Sequence, residues 1–269
     1  MSGHKTDHAL QDMHRPDDAA ALSNQGTAAS RIIRPRDAAS LILIDRNGNE
    51  PRILMGRRAR AMHFMPDMFV FPGGGTEAQD GRINAANSLR PQDETKLLAG
   101  LGKRASTQRA RALAMTAIRE TYEETGLLLG TPHDDAQTHP WTGFARSNHL
   151  PDLSQLRYVA RAITPPGHVR RYDARFFASF LDEISPELPA RNHNPADISA
   201  IESSAYNEPE LSDLKFVSFS EAFNLNIAAI TRIILRDIEK LLLEDRDLSS
   251  IYPVPFYRKR HGRHVREVI

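Results

Sequence analysis

Cysteine is absent from the 269 residues. That excludes disulfides, thiolate metal sites and a cysteine nucleophile, and leaves oxygen and nitrogen as metal donors. An excess of charge is absent too. Lys plus Arg number 35 and Asp plus Glu 34, for a net charge of +1. This argues against a dedicated nucleic-acid binder, whose affinity rests on a basic excess. No apolar run approaches the roughly 18 residues of a membrane span, and residues 1–18 are polar, with no apolar signal segment. These absences predict a cytoplasmic protein that engages neither nucleic acid nor membrane. Aromatic residues are few, and the lone tryptophan, Trp141, reads as core together with Phe176 and Phe177. What remains, 40% hydrophobic and 26% charged residues, is ordinary for a globular chain.

Residues 1–34 are polar and lack periodicity, and read as a flexible N-terminal tail. The rest, 35–269, reads as one domain. Ala38–Asp45 and Ile53–Gly56 predict a hairpin around Asn47-Gly48-Asn49. Met68–Phe71 predicts a strand stopped by Pro72-Gly73-Gly74-Gly75. A short helix is expected at Pro91–Leu101, inside the polar stretch 81–105. Thr107–Thr125 is the clearest helix of the first half: Ala110, Leu113, Ala114, Ala117 and Ile118 form one stripe, and Gly126 stands where a terminating glycine belongs. Leu156–Ile163, Ala174–Leu181 and Asp213–Phe219 predict strands, and Ala228–Asp245 an amphipathic helix. The pattern implies an α/β domain with helices packed on a mixed sheet.

The end of the Thr107–Thr125 helix carries the most specific chemistry. Glu120, Glu123 and Glu124 are offset by three and four residues, so their carboxylates share one face. Three like charges repel there, and they sit at the negative end of the helix dipole. A hard divalent cation, Mg²⁺ or Mn²⁺, would relieve both costs. Arg119, four residues before Glu123, is placed to orient it. Alone, this cluster also fits a solvated helix end. Upstream, consecutive glycines at 73–75 permit close backbone approach or positive φ, although alone they read as a plain turn.

Taken together, these two segments resemble the Nudix hydrolase family. Its box runs Gly, five residues, Glu, seven residues, Arg-Glu, an aliphatic residue, any residue, Glu-Glu, any residue, Gly, aliphatic. Here Gly74 is followed by Asp80 at the first Glu position, and Arg119-Glu120, Glu123-Glu124, Gly126 and Leu127 match the second half. Thr121 stands at the first aliphatic position. The two halves are separated by 38 residues instead of seven, an insertion that leaves the role of Asp80 open. Lys215-Phe216-Val217 with Glu221-Ala222 resembles a later family strand and helix start. The resemblance implies an α/β/α sandwich around a mixed β-sheet, with Mg²⁺ or Mn²⁺ held by Glu120, Glu123, Glu124 and a carbonyl of the Gly73-Gly74 loop.

Arg57-Arg58-Ala59, His63, Asp67 and Phe71-Pro72-Gly73-Gly74 keep the spacing of a signature found in the coenzyme A diphosphatase branch of that family. His63 and Asp67 stand where the signature has Arg and Gly. This resemblance implies hydrolysis of coenzyme A or acyl-coenzyme A to 3′,5′-ADP and 4′-phosphopantetheine. Arg57, Arg58, Arg60 and His63, and separately Arg170, Arg171 and Arg175, are candidates to meet the polyanionic substrate. The proton acceptor is expected to be Glu120 or one of Glu202, Glu208 and Glu210. Alternatives are a diphosphatase for ADP-ribose or dinucleotides, and a silent Nudix domain that senses a nucleotide. Family members are often dimers, so a homodimer is also an expectation. The basic stretch Arg258–His264 reads as a solvated edge or terminus.

Overall fold

Strand β1 (Arg36–Asp45) is the axis of the molecule, because its alternate side chains point into two separate cores. The computed structural model describes residues 33–59, 66–184 and 210–269. Most of the expected tail, together with Arg60, His63, Glu202 and Glu208, lies outside them. After β1 come β2 (Arg52–Arg58), β3 (Phe69–Val70), β4 (Gly73–Gly75), α1 (Pro91–Leu101) and α2 (Thr107–Thr125). They are followed by β5 (Gly130–Pro132), α3 (Thr142–Arg146), β6 (His149–Pro151), β7 (Arg157–Ile163) and β8 (Tyr172–Phe180). The chain closes with β9 (Leu211–Ser218), α4 (Phe219–Asn224), α5 (Ala229–Glu244), β10 (Pro255–Arg260) and β11 (Arg263–Val268).

The main sheet runs β11-β10-β7-β8-β1-β2-β3, with β4 added on β1 and β9 on β2. It is mixed: β8 lies parallel to β1, whereas β2 and β4 are antiparallel to it. One edge of β1 is shared between two partners. Its end pairs with β2 at Ile44 and Ile53, and its start pairs with β4, Ser40 opposite Gly73 and Ala38 opposite Gly75. Between them the chain crosses from β2 to β1 through Phe71 and Pro72, tied by the Leu41 amide to the Pro72 carbonyl at 2.9 Å. The sheet is forked there, and the fork opens toward the end of α2.

Leu41 and Leu43 pack with Leu113, Ala114, Ala117 and Ile118 of α2. Ile42 and Ile44 pack on the other face with Ile233, Ile234 and Ile238 of α5. These layers form the expected α/β/α sandwich. Trp141, Phe176 and Phe177 are buried, as expected of core. A network of ion pairs closes one end of the α2 face. There Arg109 and Arg175 reach Asp37 at 2.7 and 2.9 Å, and Arg161 reaches Asp173 at 2.8 Å.

Three differences from the sequence reading have physical causes. Gly73–Gly75 is a strand rather than a plain turn, because β1 offers it a free edge. The β5–β6 hairpin with α3 fills a stretch that the pattern left unassigned, and its strands are too short to show periodicity. The basic end of the chain forms the β10–β11 hairpin, turning at His261 and Gly262 with φ of 48° and 79°. Edge strands carry charge in place of alternating apolar residues, which hides them from a periodicity search.

Leu113 and Ile234 are both fully buried, on opposite faces of the sheet. Replacing either by Ala is expected to cost about 2–5 kcal/mol in urea unfolding. The double variant should lose the sum, because distant sites act independently. A double loss well short of additive would mean that the two layers are not separate cores.

Candidate active site

Arg119 is the hub of the site. Its side chain is almost entirely buried, and its guanidinium meets Asp80 at 2.9 and 3.1 Å through two nitrogens. The third nitrogen reaches Glu123 at 2.9 Å, as the four-residue spacing predicts, and Glu120 at the same distance. Nη2 also donates to the Gly75 carbonyl at 2.9 Å. Burial works against the guanidinium charge, but the bonds to Asp80 and the charges of Glu120, Asp80 and Glu123 outweigh it and raise the pKa.

Asp80 is therefore not carried away by the long segment that follows it. It is fully buried and accepts from the Glu77 amide at 2.9 Å. The Thr116 hydroxyl stands 2.8 Å from its other side. The intervening chain leaves and returns. Gly81 lies so close to α2 that a Cβ there would stand 3.2 Å from Gln108. Helix α1 docks through buried Leu97 and Leu101 and through Asp93, which accepts from the Tyr158 amide at 2.9 Å. Thr116 was not singled out from the sequence. Its signal was present, since it lies one turn before Glu120 on the same helical face.

The glycines are required by close approach, not by positive φ. A Cβ on Gly74 would lie 2.4 Å from Glu120 Oε1, and one on Gly73 would lie 2.3 Å from Ser40 Oγ. The Gly73 amide donates to Glu124 at 2.9 Å. Glu120 and Glu124 thus flank the β4 backbone, while Glu123 stands half exposed beside Arg119. Thr121, at the aliphatic position, is buried and turns its hydroxyl back to the Ala117 carbonyl. Gly126 ends α2 in the left-handed conformation, its amide donating to Tyr122.

Burial pushes the Glu124 carboxyl up to about 8, against the Gly73 hydrogen bond that lowers it. Burial likewise raises Glu120 to about 7, opposed by Arg119, and raises Glu123. The charge of Glu210, at the start of β9, adds to the rise at both Glu120 and Glu124. In donor type the three glutamates fit a hard divalent cation. Their oxygens are held by Arg119 and Gly73, and among the described residues no three Asp, Glu or His side chains are already closed to metal-ligand geometry.

The candidate cations divide. Arg58 lies within electrostatic reach of Glu124, and its Nε is buried without a partner. Arg57 is largely exposed, 3.8 Å from Asp67. Asp67 has φ of 62°, a left-handed conformation that accounts for glycine in the signature and that Asp tolerates. Arg171 is bound to the Thr164 and Ile33 carbonyls, and no hydrogen bond or ion pair among the described residues joins it to the glutamates. Arg175 is internal, paired with Asp37 and Asp173, and is not a surface arginine.

Replacing Asp80 by Ala strands a buried guanidinium and is expected to cost about 3–5 kcal/mol. A loss below about 1 kcal/mol would remove the ion pair from the centre of the site. The raised carboxyls make a second prediction. The folded state holds protons that the unfolded chain, with glutamates near 4.3, has released. Stability of the metal-free protein is therefore lost as pH rises through about 7 to 8. In EDTA, urea unfolding should show higher stability at pH 6 than at 8.5, and Glu124→Gln should flatten this slope. An equal slope in wild type and variant would contradict the burial of Glu124.

No protein-family model matches the sequence. Among solved structures, a NUDIX hydrolase from Alicyclobacillus acidocaldarius is 23% identical, with a TM-score of 0.53 over 76% of this chain and 90% of that one. The NUDIX domain of Shewanella oneidensis NrtR, solved with ADP ribose, is 11% identical, with a TM-score of 0.40 over 84% and 98%. A C. elegans Ap4A hydrolase is 14% identical, with a TM-score of 0.38 over 78% and 99%. The likeness to the Alicyclobacillus structure establishes the fold: this chain has the Nudix fold.

Proposed function

We propose that the protein is a divalent-metal-dependent diphosphatase, and that its substrate is coenzyme A or an acyl-coenzyme A. The observation that carries the reading is the gathering of Glu120, Glu123 and Glu124 around Arg119 and the β4 backbone. A fold has no need of three carboxylates whose charge it opposes by burial. They are supported as a site for a cation that offsets that burial.

In this reading Glu120, Glu123 and Glu124 hold Mg²⁺ or Mn²⁺, with the Gly74 carbonyl as a further ligand by family resemblance. The cation, when bound, neutralises the diphosphate and lowers the pKa of a coordinated water. Arg119, fixed by Asp80, sets the positions of Glu120 and Glu123 before substrate arrives. Arg58, with an unpartnered Nε near Glu124, receives a phosphate oxygen. Arg57 contributes charge at the rim. Water attacks phosphorus, its proton passes to a carboxylate, and the bridging P–O bond breaks. Glu120 is the first acceptor considered, and Glu210 is the described member of the distal acidic set. The coenzyme A assignment is supported by the partial signature through Arg57, Arg58, Asp67 and Phe71–Gly74, with Asp67 meeting the backbone demand of the glycine it replaces.

Chromatography of the products from coenzyme A, an acyl-coenzyme A, ADP-ribose and NADH, with Mg²⁺ or Mn²⁺, tests the proposal. Release of 3′,5′-ADP is expected. Glu124→Gln should lower kcat about a hundredfold, the scale of removing one group that stabilises transition-state charge. Cleavage of ADP-ribose or NADH alone would overturn the coenzyme A assignment but not the diphosphatase. Metal-dependent binding with no cleavage of any of them would favour a sensor.

A further inference from the structure

Beside the glutamates, the 79–84 segment and the 135–150 segment enclose a cavity of about 240 Å³. Its floor is formed by buried Ile83, His139 and Leu150. Its rim is polar and exposed, with Gln79, Arg82 and Asn84 on one side and Asp135 on the other. Whole small molecules usually occupy about 300–1,000 Å³, so this space suits a single ring system.

The floor is chemically unfinished. His139 Nδ1 accepts the Trp141 amide at 3.2 Å, which puts the ring proton on Nε2. Burial keeps the ring neutral by lowering its pKa. Nε2 is buried and makes no hydrogen bond, although the nearby Asn84 backbone carbonyl favours the proton. A buried N–H donor without a partner calls for an acceptor from outside. The Asp135 carboxylate at the rim repels phosphate and accepts from an amino group. Donor and acceptor together complement the edge of adenine, which presents an amino group beside a ring-nitrogen acceptor.

The cavity is joined to the catalytic helix at two points. Gln79 and Arg82 flank Asp80, which anchors Arg119. On the other side the His139 ring packs on Phe144 at 5.5 Å, and Phe144 packs on Tyr122 at 5.6 Å, next to Glu123 in α2.

We propose that this cavity is the subsite for the adenine ring of the substrate, with His139 Nε2–H donating to a ring nitrogen and Asn84 and Asp135 meeting the amino edge. The proposal rests on the diphosphatase reading for its place in catalysis, but ring binding stands without turnover. Trp141 is the only tryptophan of the chain and lies 5.1 Å from the His139 ring, so its emission reports on the cavity.

The intact metal-free protein is titrated with adenosine, inosine, guanosine, ribose 5-phosphate and inorganic phosphate while Trp141 fluorescence is read. A saturable change with adenosine is expected, weakened about tenfold or more with inosine and guanosine and absent with the two phosphates. His139→Phe, which keeps a ring but removes the donor, should weaken adenosine at least tenfold. Asn84→Ala, at the exposed rim, should raise KM severalfold and leave kcat in place. Glu124→Gln should bind adenosine like wild type. If wild type cleaves no substrate yet shows the adenosine response and its loss in His139→Phe, the diphosphatase reading fails and the subsite stands. A response to phosphate equal to that of adenosine overturns the proposal. So does adenosine affinity, with the KM of a cleaved substrate, left unchanged by both Asn84→Ala and His139→Phe.

Discussion

One buried guanidinium carries the organisation of this molecule. Arg119 joins Asp80, Glu120, Glu123 and the Gly75 carbonyl, groups contributed by α2, by β4 and by the loop between β4 and α1. Without it, three acidic groups would face each other in a region that burial already makes hostile to charge. The ion pair with Asp80 also solves a problem of chain length. The protein inserts α1 between two parts that must touch, and the touch survives because both ends of the insertion return to α2.

The forked sheet is the second constraint. By giving up part of its β1 edge to β4, β2 lets a glycine strand lie against the end of α2. Side chains cannot occupy that contact, since Glu120 and Ser40 already fill it. Backbone amides and carbonyls are thereby brought to the same place as the carboxylates, which is what recognition of a charged diphosphate with its cation demands.

Much of this was legible in residue order wherever the physics is local. The 3.6-residue period gave α1, α2 and α5 within a residue or two, and it put Glu120, Glu123 and Arg119 on one face. The apolar stripe of α2 and the alternation in β1 located both cores. Residue order did not reveal contacts made across distance. Asp80 is 38 residues from Arg119, and no periodicity reports that they meet. The β4 strand exists only because a neighbouring edge accepts it, and glycine has little intrinsic preference for a strand. Arg175 resembles a surface arginine in sequence, yet it lies in a buried network that only the pairing of β1 with β8 creates. His139 gave no signal at all, because its unpartnered nitrogen depends on a fold of two loops.

The β10–β11 hairpin has a consequence for how copies of the protein meet. It forms the outer edge of the main sheet and carries Arg258, Lys259, Arg260, Arg263 and Arg266 against the single acid Glu267. An open edge strand is normally an invitation to extend the sheet into a neighbour. Two such edges brought together would instead oppose cation to cation, so the protein guards itself here against fibre-like self-association. Any pairing of two copies must use a different face.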